Sequence, residues 1–145
     1  MSKDVRSELS KRNKWHISKH KFLELKHFCL QYPEWHKLYL ELSLRGYTAA
    51  SGNEIKCCNL NDNVGDAAIE MYYISKKMNL IKEVAYRTDP ILGDYIFKAV
   101  TNGYPFTYLK TILEIPCERD MYYDRYRRKY YARRIRNDYY KIYLQ

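Results

Sequence analysis

Residues 103–134, which read GYPFTYLKTILEIPCERDMYYDRYRRKYYARR, decide how the chain can be interpreted. Residues 106–113 repeat apolar side chains at helical spacing. A tight break over residues 114–117 follows, and a longer helical stretch begins near Glu118. This order of short helix, break and longer helix predicts a helix-turn-helix over residues 106–134. The side chains expected in its core are Leu109, Ile112, Leu113, Tyr122 and Tyr126.

A helical wheel of the second helix separates an inward face from an outward one. Tyr122, Tyr126, Tyr130 and Arg133 fall on the inward face, and Asp120 and Asp124 lie among the arginines of the outward face. The outward face and its flanks carry arginines, which form paired hydrogen bonds with guanine edges or phosphates, and tyrosines, which suit phosphates and thymine methyl groups. With Thr107, placed to contact the DNA backbone, the candidate DNA-binding residues are Thr107, Arg119, Tyr123, Arg125, Arg127, Arg128, Tyr131 and Arg134.

The same Arg-Tyr pattern has a plainer alternative. It would form a solvated helix that packs its tyrosines on its own domain, with Asp124 and Arg128 as an ion pair four residues apart. A basic run is weak evidence for DNA binding without the helix-turn-helix before it.

The charge of the chain favours a polyanionic partner. Of its 145 residues, 26 are Lys or Arg and 17 are Asp or Glu, for a net charge of +9. The excess lies at the two ends, because residues 1–28 hold 8 basic and 3 acidic side chains and residues 118–145 hold 9 and 4. An acidic DNA mimic is excluded by this sign, and a nucleic acid is the first partner to consider.

The composition favours an all-α fold of about six helices. Apolar residues make up 46% of the chain, and only 5 Gly and 4 Pro are present, too few turn residues for a β-sandwich or barrel. The periodicity divides the chain into four parts: a basic mobile arm (1–18), an N-terminal helical pair interrupted at Pro33 (19–44), a loop (45–63) and a helical domain that includes the helix-turn-helix (64–145).

Local signals within residues 64–103 predict two further helices. Asp89-Pro90 is a start signal, and Asn102-Gly103 is a stop signal. The inward positions expected on the first of these helices are Ala68, Tyr72, Met78, Ile81, Val84 and Ala85. Those expected on the second are Ile91, Tyr95, Ile96, Ala99 and Val100.

Metal, cofactor and enzyme chemistry find little support in the sequence. His16 and His20 stand four residues apart near Cys29, but no second ligand pair follows, so surface histidines beside a buried thiol are the better interpretation. The four cysteines form no C-x-x-C pair, which favours reduced thiols. No nucleophile elbow or Gly-rich phosphate loop occurs, so we expect no enzyme, no metal and no cofactor. No apolar run could span a membrane, and the start is charged, so we expect a cytoplasmic protein without membrane contact.

Residues 89–128 resemble the C-terminal part of phage late transcriptional regulators of the RinA and ArpU type, from prophages of low-GC Gram-positive bacteria. The resemblance extends back through residues 65–68. It implies a helix-turn-helix similar to region 4 of bacterial sigma factors, with double-stranded DNA and host RNA polymerase as partners. Leu113 and Ile115 match the Leu-Gly-Ile turn of that motif, but Glu114 replaces the Gly and the turn is about one residue longer.

The charge and the helix-turn-helix pattern predict DNA binding, and the resemblance implies a phage regulator of late-gene promoters that acts in the cytoplasm of the bacterial host. Two alternatives stay open: a DNA-packaging component similar to a small terminase subunit, and a protein-binding inhibitor of a host defence nuclease. The target sequence, the sign of regulation and the oligomeric state are open as well.

Overall fold

The computed structural model describes residues 16–51, 60–127 and 129–131. These ranges are mostly helical and contain no strand, which confirms the all-α class. The helices are α1 (Lys19–Leu30), α2 (Tyr32–Ser51), α3 (Leu60–Thr88), α4 (Gly93–Asn102), α5 (Phe106–Thr111) and α6 (Arg119–Met121), and α6 continues as a π-helical segment, Tyr122–Arg127.

The start of α1 corrects the end of the predicted mobile arm. Ser18 caps the helix, because its hydroxyl oxygen accepts a hydrogen bond of 3.3 Å from the Lys21 amide. Ile17 is buried in the core. The predicted arm over residues 1–18 therefore extends too far toward the C-terminus. Its first fifteen residues lie outside the described part of the chain.

The predicted loop over residues 45–63 is also corrected at both ends. Helix α2 continues to Ser51 and α3 already begins at Leu60. Gly, Ser and Asn residues had suggested a loop, but their helix propensities are a weak guide to where a helix ends. Residues 52–59 lie outside the described residues.

The turn between α3 and α4 lies at the predicted Asp89-Pro90 signal, but the helix begins at Gly93 and not at Pro90 as expected. The Asp89 carboxylate accepts hydrogen bonds from the amides of Ile91 (2.8 Å) and Leu92 (2.9 Å). Gly93 then begins α4, and Gly103 ends it in the left-handed conformation, with φ of 70°. Asp89 thus organises the turn from outside the helix and is not the cap residue itself.

One hydrophobic core joins most of the described helices. It takes side chains from α1, the C-terminal half of α3, α4, α5 and the segment after α6. Phe22 on α1 meets Tyr131 edge to face, with ring centroids 5.1 Å apart. The N-terminal helical pair and the helical domain, predicted as separate units, therefore share one core.

A buried hydrogen-bonded chain crosses this core. The Tyr130 hydroxyl donates to the Ile81 carbonyl oxygen at 3.2 Å and lies 3.5 Å from the Cys29 sulfur. The single hydroxyl proton of Tyr130 is in the hydrogen bond to the Ile81 carbonyl oxygen. The Cys29 thiol therefore donates its own hydrogen bond to the Tyr130 oxygen. The chain connects α1, α3 and the C-terminal segment.

Several predicted core positions are exposed instead. Ala68 and Tyr72 are exposed, whereas Ile74 in the same half of α3 is buried. Ile91 is 78% exposed because it lies in the turn before α4, and Ile112 is 61% exposed because it follows the last residue of α5. Ile115 and Cys117 fill the core near α5 in their place.

Candidate nucleic-acid interface

The connection from α5 to α6 spans residues 112–118. The Ile115 amide closes it by donating to the Leu109 carbonyl oxygen at 2.9 Å, which brings the buried Ile115 side chain under α5. Glu114 has φ of 56°, the left-handed conformation that costs most residues about 1 kcal/mol or more. Glu118 precedes α6 with extended backbone angles, as a helix cap does.

The segment after α6 departs from an ordinary helix. Residues 122–127 are π-helical, with hydrogen bonds from residue i to i+5 and hence more residues per turn than an α-helix. An α-helical wheel therefore misplaces side chains along it. Tyr122, Tyr123, Tyr130 and Tyr131 are all buried, at 6% exposure or less.

This winding corrects two candidate DNA-binding residues. Tyr131 was expected on the outward face and Tyr123 on its flank, but both side chains lie in the core. Tyr131 packs against Phe22, and Tyr123 lies beside Phe106 and Tyr122. Neither phenol ring is open to a nucleic acid.

The Tyr123 ring instead lies beneath two arginine side chains and forms a small cluster with them. The Arg119 Cζ atom lies 5.8 Å from the centroid of the Tyr123 ring, and the Arg127 Cζ atom lies 5.4 Å from it. Both guanidinium groups are within cation–π range, so the ring restricts their orientation. Arg119 is exposed and Arg127 is half-buried. We call Arg119, Tyr123 and Arg127 the Tyr123 cluster.

The remaining candidates divide into surface positions and positions outside the description. Thr107 is exposed on α5, as predicted. Lys110, one turn later on the same helix, is also exposed, and its ammonium lies 3.8 Å from the Glu118 carboxylate. The Arg125 side chain, Arg128 and Arg134 lie outside the described part of the chain, as does the Tyr126 side chain.

Lys110 and Phe106 are the two residues of this region that the sequence argument missed. Phe106 packs against both Tyr122 and Tyr123, with ring centroids 5.7 and 6.3 Å apart. The spacing of Thr107 and Lys110 on one helical face could have indicated Lys110. Nothing in the spacing indicated Phe106, because its contacts depend on the π-helical winding.

Within the described residues, no group of three or more His, Cys, Asp or Glu is arranged to hold a metal ion. Cys29 and Cys117 are both free and buried, and burial raises the pKa of each thiol. None of the helices described has the length and apolar character needed to cross a membrane.

Comparison with known proteins gives no relative. No family model, curated protein or solved structure matches the chain.

Proposed function

We propose that this protein is a DNA-binding phage transcriptional regulator that acts on late-gene promoters. Its reading element is a helix-turn-helix similar to sigma region 4, formed by α5, residues 112–118 and α6 with its π-helical continuation. The observation that carries the proposal is the Tyr123 cluster, in which two guanidinium groups converge on one buried ring.

The cluster is suited to a nucleic acid because its cations are already oriented. A guanidinium presents a planar set of donors that matches guanine edges and phosphates. Contact with the Tyr123 ring removes part of the rotational freedom that Arg119 and Arg127 would otherwise lose on binding. In this proposal Arg119 and Arg127 contact DNA, and the buried Tyr123 ring holds their guanidinium groups in position.

The backbone at Glu114 supports the motif register. The family's motif has a glycine at the matching position of the turn, and glycine is the residue that adopts positive φ without strain. Glu114 adopts positive φ although it carries a side chain. Leu109 and Ile115, on either side of the turn, are both buried, as a packed helix-turn-helix requires.

The basic ends supply the sequence-independent part of binding. Residues 118–145 hold 9 basic and 4 acidic side chains, and residues 1–28 hold 8 and 3. Contacts from such segments to phosphates release counterions, so affinity falls as salt rises. Residues 1–18 would add affinity without selectivity.

Selection of bound duplexes from a random pool tests the proposal. Full-length protein should enrich one sequence motif, and its affinity for that motif should exceed its affinity for unselected DNA by at least about a thousandfold. A pool that stays random after repeated rounds, with equal binding of all duplexes, would overturn a regulator that reads sequence.

A further inference from the structure

The N-terminal half of α3 presents an apolar stripe that no described part of the chain covers. Ile69, Tyr72 and Tyr73 are exposed by 57%, 54% and 57%. With Lys76 they occupy positions i, i+3, i+4 and i+7 of the helix, which share one face. Ile74 is buried on the other side of the helix, and the Lys77 ammonium lies 5.3 Å from the centroid of the Trp35 ring on α2.

Two aromatic side chains make this stripe more than scattered surface residues. The rings of Tyr72 and Tyr73 meet edge to face at 5.7 Å, and the Lys76 ammonium lies 4.6 Å from the Tyr72 centroid. Tyrosines of this kind are enriched at protein interfaces, because they bury a large apolar surface at a small entropy cost. The stripe therefore has the composition of a contact surface.

The charges around the stripe are arranged to fit a second copy of the same surface. Asp66 and Glu70 lie toward its N-terminal end, and Lys76 lies at its C-terminal end, all three exposed. A two-fold axis near residue 71 would run two such helices antiparallel, so each Lys76 would meet the acidic end of the partner. A parallel pairing would place like charges together.

We propose that the protein forms a two-fold symmetric dimer through the Ile69–Lys76 stripe of α3, packed antiparallel against the same stripe of a second chain. Ile69 and Tyr73 form the apolar centre of the interface. Asp66, Glu70 and Lys76 set its direction. The dimer is independent of the proposed DNA binding, and either can fail without the other.

Sedimentation velocity of the full chain over a wide range of concentrations tests the interface. The wild-type protein should pass from monomer to dimer as concentration rises. Tyr73→Glu should raise the dimer dissociation constant by about tenfold or more, because it places a charge in the apolar centre. Leu40→Glu is the matched control, since Leu40 is 50% exposed on α2, and it should change nothing.

Charge reversal then tests the antiparallel arrangement. Lys76→Glu alone and Asp66→Lys/Glu70→Lys alone should each weaken self-association, because like charges meet across the axis. An equimolar mixture of the two variants should dimerise again, since every facing pair is then of opposite sign. Circular dichroism and thermal melting would establish that each variant is folded.

Three results would overturn the proposal. One is a wild-type protein that stays monomeric at every concentration. Another is a dimer that Tyr73→Glu leaves intact or that Leu40→Glu disrupts. The third is a mixture of charge variants that associates no better than either variant alone.

Discussion

The thiol of Cys29 and the hydroxyl of Tyr130 lie 3.5 Å apart in the core, although 101 residues separate them along the chain. Both groups are fully buried. Their contact, with the bond from Tyr130 to the Ile81 carbonyl, holds the C-terminal segment against α1 and α3. The basic surface at Tyr123 is therefore anchored seven residues later by a polar contact in the core.

Removing the Tyr130 hydroxyl should destabilise the protein. Tyr130→Phe leaves the Ile81 carbonyl and the Cys29 thiol without their buried partner, at a cost of about 1–3 kcal/mol in the free energy of unfolding. Urea titration would measure it. Tyr86→Phe is the control, because the Tyr86 hydroxyl is part of an exposed contact with Asp94, and it should cost less than about 0.5 kcal/mol. Equal losses in the two variants would contradict the buried chain.

The burial of Cys29 and Tyr130 predicts a loss of stability at alkaline pH. Burial raises the pKa of Cys29 from 9.0 to about 12 and raises the pKa of Tyr130 well above 10.0. Both groups stay neutral in the folded state while they ionise in the unfolded state. The contribution of the two neutral groups to the free energy of unfolding is therefore fully present below about pH 9, and it is lost as pH rises toward 12.

Above the pKa of the unfolded state, the free energy of unfolding should fall by up to about 1.4 kcal/mol per pH unit for each group that ionises only on unfolding. Urea titrations at a series of pH values above 8 would show it. Cys29→Ala should flatten the curve between pH 9 and 10, where the unfolded thiol titrates before the tyrosine does. A wild-type curve that is flat in this range, or one identical to that of Cys29→Ala, would show that the thiol is not desolvated.

Two glycines in helices should respond to alanine in opposite directions. A Cβ atom on Gly93 would lie 2.9 Å from the Tyr86 Cα atom, whereas one on Gly65 would meet nothing within 4 Å. Gly93→Ala should therefore cost about 1–3 kcal/mol through overpacking of α3 against α4. Gly65→Ala should stabilise the protein by about 0.5–1 kcal/mol, because alanine is the better helix former. Thermal melting of the pair checks the packing, and changes of the same sign would contradict it.

Glu114 should be improved by the residue that its backbone favours. Glu114→Gly relieves a positive φ and should raise the free energy of unfolding by about 0.5–1 kcal/mol, after the entropy gained by the unfolded chain is subtracted. Glu118→Gly, at an ordinary φ of −81°, should not stabilise. Urea titration distinguishes the two. A destabilised Glu114→Gly would mean that the turn depends on the Glu114 side chain.

The accuracy of the sequence predictions depended on how local the signals were. Asp89 and Gly103 indicated the turn before α4 and the end of α4, because side-chain hydrogen bonds within a turn and a left-handed stop depend on a few neighbouring residues. The burial of Tyr123 and Tyr131 could not be predicted, because it depends on the π-helical winding and on packing against Phe22 and Phe106.

The candidate interface was predictable in part for the same reason. Arg119 and Thr107 were expected at the surface from charge and spacing and are exposed, whereas Arg127, also expected there, is half-buried. The contact of both arginines with one ring is local, because each arginine lies four residues from Tyr123, a spacing that could have indicated it. Tyr123 was expected to contact DNA, but its buried ring instead packs beneath the guanidinium groups of Arg119 and Arg127.

The binding of arginine variants to the selected duplex tests the central claim most directly. Arg119→Ala and Arg127→Ala should each weaken specific binding by about 1–3 kcal/mol, with a smaller effect on random DNA and little change in melting temperature. Lys82→Ala is the control. Lys82 lies on α3, and its ammonium is beside the Phe97 ring of α4, so this variant also removes a cation next to an aromatic ring. It should bind the selected duplex nearly as the wild type does. If both arginine variants are folded and bind the selected duplex as tightly as the wild type, the Tyr123 cluster does not read DNA.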